Sequence, residues 1–175
     1  MITRLKDGMM LYHGSYCEVQ IPKLEQCKKY KDFGQVFYLT TDIEQAKKFA
    51  TLSLRKAVDN MLVDDTHEVA YVSCFKYMDD TRVSKYIFDD ADSAWLHFVV
   101  GHRKKDTFTK IVEHMQSYDI IGGKIANDAT NATILAYMAG TFGEIGTEQA
   151  DNFCISLLLP ERLKDQYCFR TDNVI

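Results

Sequence analysis

The sequence predicts an α+β fold. Strand-like and helix-like segments follow one another without the regular strand–helix–strand alternation of a doubly wound sheet. Prolines stand only at 22 and 160, and no linker, repeat or low-complexity tract divides the chain, so a single domain is expected over 1–175. An apolar fraction of 46% is enough for a core at this length.

The elements can be justified in order. Met9-Met10-Leu11-Tyr12 leads into His13-Gly14 as a first strand near 9–14. Residues 16–35 carry Pro22 and Gly34 amid polar residues and read as a loop. A second strand, about 36–40, ends at Thr41-Asp42-Ile43-Glu44, where Thr41 and Glu44 have capping-box spacing. A helix is expected to about Met61, because Ile43, Ala46, Ala50, Leu54, Ala57 and Met61 fall on one face. Val69 to Tyr77 alternates as a strand, and Tyr86-Ile87-Phe88 is a shorter extended piece. Asp90 or Asp92 caps a helix containing Ala94, Trp95, Leu96, Phe98 and Val99, with Trp95 and Leu96 read as core. Tyr118-Asp119-Ile120-Ile121 is a strand expected to break at Gly122-Gly123, with a bulge or turn preferred over a phosphate cradle. A helix from about 129 stops at Gly140, another runs from Thr147 to before Pro160, and the last strand is Gln166-Tyr167-Cys168-Phe169.

Composition removes several classes of function. A net charge of −4 argues against broad nucleic-acid affinity, which is driven by Lys and Arg on phosphates. The basic clusters Lys28-Lys29-Tyr30-Lys31 and His102-Arg103-Lys104-Lys105 read as solvated loops, with lining of a substrate path as the alternative. The five cysteines are odd in number and scattered, which fits reduced thiols in a cytoplasm; Cys74 and Cys154 sit among apolar neighbours and read as core. His97 and His102 are five apart, on different helix faces, so no metal site is expected. No apolar run reaches membrane-spanning length, and residues 1–7 carry no secretory pattern, so a cytoplasmic protein is expected. Phosphate-loop, dinucleotide-fold and nucleophile-elbow signatures are missing from the sequence.

Two segments carry chemistry. Leu11-Tyr12-His13-Gly14-Ser15 sets an imidazole beside bare backbone, and Asp32-Phe33-Gly34-Gln35-Val36-Phe37-Tyr38-Leu39-Thr40 offers a tyrosine face for stacking. Both resemble the NAD-binding core of ADP-ribosyltransferases, in the branch of diphtheria toxin and the poly(ADP-ribose) polymerases. Together with Tyr118-Asp119-Ile120-Ile121-Gly122, Ala126-Asn127-Asp128 and Asp165-Gln166-Tyr167-Cys168-Phe169, they make the chain similar, over roughly 10–170, to a bacterial family of uncharacterised domains assigned to that superfamily.

The resemblance implies two packed antiparallel sheet halves with flanking helices around an NAD cleft. It implies that His13 hydrogen-bonds the adenosine-side ribose, that Gly14 grips the nicotinamide carboxamide through its backbone beside Ser15, and that Tyr38 stacks on the nicotinamide ring. Gln166 falls where the branch usually carries a glutamate that bonds the other ribose and offsets charge as nicotinamide leaves. A neutral amide can orient a hydroxyl but offers no carboxylate charge and no general base, so chain elongation is not expected. Asp128 reads first as a helix N-cap, with supply of the missing charge as its alternative.

The function so implied is mono-ADP-ribosyl transfer from NAD, as co-substrate, to a macromolecular acceptor, protein or nucleic acid. Catalysis would rest on Gln166, Tyr38 and His13, without a metal. By analogy alone, a bacterial toxin or defence effector with an antitoxin-like partner fits such a chain. The alternatives are an NAD glycohydrolase and a catalytically silent module that binds a nucleotide or a protein partner. An NAD-using RNA 2′-phosphotransferase would want converging arginines, and the motif segments supply none.

Overall fold

A computed structural model describes residues 1–27, 33, 35–126 and 128–171, without the side chains of Gln26, Asp128 and Ala129. The Lys28–Lys31 cluster, Asp32, Gly34, Asn127 and the Asp128 side chain lie outside what is described. The strands are β1 (Met10–Ser15), β2 (Phe37–Leu39), β3 (Tyr71–Lys76), β4 (Lys85–Ile87), β5 (Ile120–Lys124) and β6 (Asp165–Phe169). The helices are α1 (Ile43–Asp59), α2 (Ser93–Arg103), α3 (Thr109–Met115), α4 (Asp128–Met138) and α5 (Glu148–Leu158), with 3₁₀ turns at Leu24–Gln26 and Pro160–Arg162.

The fold is mixed α+β. One sheet pairs β1 with β3, and the other runs β2-β6-β5-β4. Among the described residues one bridge joins them, where Tyr12 and Thr40 exchange backbone hydrogen bonds of 2.8 and 3.0 Å. All pairs are antiparallel except β4 with β5, which run parallel, so the second sheet is mixed rather than an antiparallel half.

Side chains of the larger sheet alternate between two apolar clusters, as a period of two demands. Ile121 and Cys168 face a large core with Trp95, Phe98, Val99, Ile134 and Cys154 from the helices, while Ile120, Tyr167 and Phe169 face a smaller one with Leu11, Phe37 and Leu39. Trp95 and Leu96 are fully buried, as the helical spacing implies.

Several sequence expectations need correction. The α1 cap is Asp42, whose carboxylate accepts the Gln45 N–H at 3.0 Å, not Thr41. The helix ends at Asp59, so Met61 leaves its face, takes φ 56° and is exposed. Gly122 and Gly123 do not break β5. They sit inside it because each faces an aromatic: a Cβ on Gly122 would meet the Tyr167 ring and Ile87, and one on Gly123 would meet Phe33 and Trp95. Those side chains fill the space a phosphate would need. Cys74 points outward from β3 and is exposed rather than core, whereas Cys154 is buried. Helix α3 carries no sequence signal, since Phe108 precedes it in the left-handed region at φ 53° with no side-chain cap.

Gly14 is the tightest point in the packing. A Cβ there would lie 2.0 Å from the Ala46 carbonyl oxygen and 2.6 Å from the Ala50 nitrogen, both backbone atoms of α1. Gly14→Ala should therefore lower unfolding free energy by about 3 kcal/mol or more in urea titration, at the upper end of overpacking costs. Gly122→Ala, which meets the movable tip of Ile87 first, should cost less. A Gly14→Ala protein as stable as the parent would contradict this contact.

Candidate functional site

The site begins where β1 and β2 part company. Because Tyr12 turns its N–H and C=O toward Thr40, strand alternation turns those of Gly14 toward the same side, away from β3. Beyond the Tyr12–Thr40 bridge the ladder does not continue, so the Gly14 amide and carbonyl face a gap with Tyr38 across it.

His13 closes one end of this gap. Its Nδ1 lies 2.8 Å from the Tyr38 carbonyl oxygen, and its ring rests on Phe37 with centroids 4.5 Å apart. Since a carbonyl can only accept, Nδ1 carries the proton and Nε2 presents a lone pair. Burial pushes the His13 pKa below 6.5, partly opposed by the bond to Tyr38, so the imidazole is neutral near pH 7.

Tyr38 packs on the opposite side of β2 from Phe37, against the large core beside Phe33. Its hydroxyl accepts the Phe33 N–H at 3.0 Å, fixing the ring. Gln166 is 5% exposed on β6, on the strand that pairs with Tyr38 through Cys168. Its Nε2 donates to the Lys124 carbonyl at 3.3 Å, which also accepts Trp95 Nε1–H at 3.1 Å. Gln166 Oε1 has no hydrogen-bond partner among the described residues, yet is not an isolated buried atom.

The structure thus brings the His13 ring and the Gly14 backbone to the Tyr38 backbone, with the Tyr38 ring on the other side of β2 from His13, and sets Gln166 farther along the same sheet. Ser15 does not join them: it is buried at the end of β1, paired with Tyr71, with its hydroxyl 3.8 Å from Cys17 Sγ. An open groove of about 610 Å³ runs along the start of β6 instead, lined by Thr41, Asp42, Ile43, Lys124 and residues 161–165. It adjoins Gln166 in sequence, but His13, Gly14 and Tyr38 do not line it.

Two polar clusters escaped the sequence reading. Lys124 and Asp165 form a buried pair at 2.8 Å; Lys124 Nζ also reaches the Leu163 carbonyl, and Asp165 accepts the Thr3 N–H at 2.8 Å. This pins the first residues of the chain against the strand that carries Gln166. The second cluster joins helices: Asp151 accepts from His97 Nε2 at 2.6 Å and from the Tyr137 hydroxyl, whose oxygen accepts the Gly146 N–H at 2.9 Å. Burial and Asp151 hold the Tyr137 phenol well above its usual range, and burial pushes the Cys154 thiol up to about 12. Each contact joins residues far apart in the chain, so no local pattern could reveal it. The basic cluster at 102–105 also has internal partners: Arg103 donates to the Ala126 carbonyl and Lys104 to the Met138 carbonyl. No group of three or more metal-ligating side chains occurs among the described residues, and no described helix is long and apolar enough to cross a membrane.

These features define a mixed α+β protein with a split sheet and a backbone-lined gap between its parts. Over residues 9–175 the chain belongs to a family described as a protein of unknown function (DUF3990). No curated protein and no solved structure matches it.

The lowered pKa of His13 sets a sign for stability. With the folded pKa below 6.5, the unfolded chain binds the extra proton first, so the contribution is full above about pH 6.5 and is lost as pH falls toward the folded pKa. His13→Asn should flatten that part of the stability profile. An NMR titration placing the His13 pKa above 6.5 would contradict the buried, neutral assignment.

Proposed function

We propose that the gap between β1 and β2 is an NAD site of the ADP-ribosyltransferase kind and that the protein transfers a single ADP-ribose. The observation that carries this reading is the Gly14 backbone, whose N–H and C=O face a gap bounded by Tyr38. A donor and an acceptor side by side on one residue match the two ends of a carboxamide, and Tyr38 supplies an aromatic surface next to them. The neutral His13 adds an acceptor lone pair for a ribose hydroxyl, and Gln166 Oε1 adds another farther along the sheet.

In this reaction the bond between ribose C1′ and the nicotinamide nitrogen breaks, and its electron pair leaves with nicotinamide. The acceptor's nucleophile bonds to C1′ and releases its proton to water. This chain contributes orientation: carboxamide held by Gly14, ring held by Tyr38, ribose hydroxyls held by His13 and Gln166. The two-sheet, antiparallel-half description implied by the resemblance belongs to the same proposal, with the parallel β4–β5 pair as a difference.

A second reading has its own support. Gln166 spends its amide N–H on the Lys124 carbonyl, as a structural residue would, and it is a neutral amide where the resembled branch usually carries a glutamate. On this reading the same gap binds a nucleotide without cleaving it.

Nicotinamide release from NAD decides between them. For a working transferase, Gln166→Ala should lower turnover by roughly 10–1000-fold with little change in affinity, because one positioned polar contact is lost as the glycosidic bond opens. The fold should survive, since Trp95 still caps the Lys124 carbonyl. Tyr38→Ala should weaken NAD binding measured by calorimetry. Binding without release, unchanged in Gln166→Glu, would favour the silent module; no NAD binding at millimolar concentration would overturn the transferase reading.

A further inference from the structure

Strand β3 pairs only with β1, and its other edge is open among the described residues. The alternation fixed by the Tyr12–Thr40 bridge and by Tyr77 N–H donating to Met9 directs Tyr71, Ser73 and Phe75 toward β1. Val72, Cys74 and Lys76 therefore turn their N–H and C=O groups outward. No residue of β3 is buried, and the stretch 68–77 contains no proline and no bulge. Open edges template pairing and are usually blunted by proline, bulges or charge, and of these β3 carries only the charge of Lys76. From these observations we infer that β3 is a self-association edge, pairing antiparallel with β3 of a second copy across a two-fold axis at Ser73.

The register follows from the sequence and from which groups point outward. With Ser73 opposite its counterpart, Val72 and Cys74 exchange backbone bonds across the axis, Tyr71 faces Phe75, and Ala70 faces Lys76. Glu68 then lies diagonal to Lys76 of the second copy, about 7–8 Å apart and within reach of long side chains. The symmetry makes this contact twice. Glu68 and Lys76 are both exposed, and neither has an ion-pair partner among the described residues. The opposite charges select the antiparallel register, and a chain of net charge −4 meets no like-charge pair along this edge. The inference is independent of the NAD reading.

Sedimentation velocity in reductant, from about 1 μM to about 1 mM, tests it over the range in which weak interfaces form. Reductant is needed because Cys17 and Cys74 are exposed thiols. The wild type should shift from monomer to dimer. Cys74→Pro removes an outward N–H that the fold does not use and should abolish the dimer with little change in circular dichroism. Lys76→Glu should weaken it about tenfold or more by facing Glu68 with a like charge, and Glu68→Lys in the same chain should restore it. The charge exchange stands even if Cys74→Pro fails to fold. A wild type that stays monomeric throughout overturns the inference. So does a dimer indifferent to the charge exchange but lost on Phe153→Asp, which would place the interface on the exposed apolar side of α5.

Discussion

The contact between Gly14 and α1 is the constraint on which the rest of the structure depends. With no side chain on Gly14, the Ala46 and Ala50 backbone of the helix approaches the strand more closely than any Cβ would permit. Helix α1 also follows β2 directly, with Asp42 capping it and Lys164 bound to that carboxylate at 2.9 Å. One helix thus holds both strands: β2 by its N-terminus and β1 by its small-residue face. Between those two attachments the described residues of the strands share one bridge, and the gap beyond it exposes a backbone donor and acceptor that an unbroken ladder would have consumed.

The remaining parts hold that gap's surroundings in place. His13 sacrifices one ring nitrogen to the Tyr38 carbonyl and keeps the other as an acceptor, while Phe33 fixes the Tyr38 hydroxyl. On β6, the buried Lys124–Asp165 pair is costly to desolvate and useful only when fully bonded, as it is here through Leu163 and Thr3. Breaking one partner would leave a buried charge beside Gln166. The neutral amide at Gln166 suits this setting, since it shares the Lys124 carbonyl with Trp95 without adding a second negative charge next to Asp165.

The sequence was legible where local chemistry decides structure. Periodicity and turn residues locate β1, β2, α1, α2, α4, α5 and β6, and His13 meets the Tyr38 backbone carbonyl across the β1–β2 gap. Legibility failed where distant residues decide. Gly122 and Gly123 look like a breaker, but Tyr167, Phe33 and Trp95 need the space a side chain would take. Cys74 looks like core because its neighbours are apolar, yet β3 lies at an edge and turns it outward. Helix α3 depends on Phe108, which stacks on His97 at 3.8 Å in a left-handed backbone conformation, and no capping residue announces it. Ser15, adjacent to the site in sequence, is withdrawn from it by the alternation of β1.

The central claim is that the Gly14 backbone is a carboxamide-binding edge. The most direct measurement is the amide chemical shift of Gly14 in a ¹⁵N-labelled sample titrated with nicotinamide and then with NAD. The account predicts a saturable downfield shift of the Gly14 N–H with both ligands, accompanied by ring-current shifts around Tyr38 and Phe33. Saturable shifts confined to the groove lined by Thr41, Asp42 and residues 161–165, with Gly14 unmoved, would contradict it.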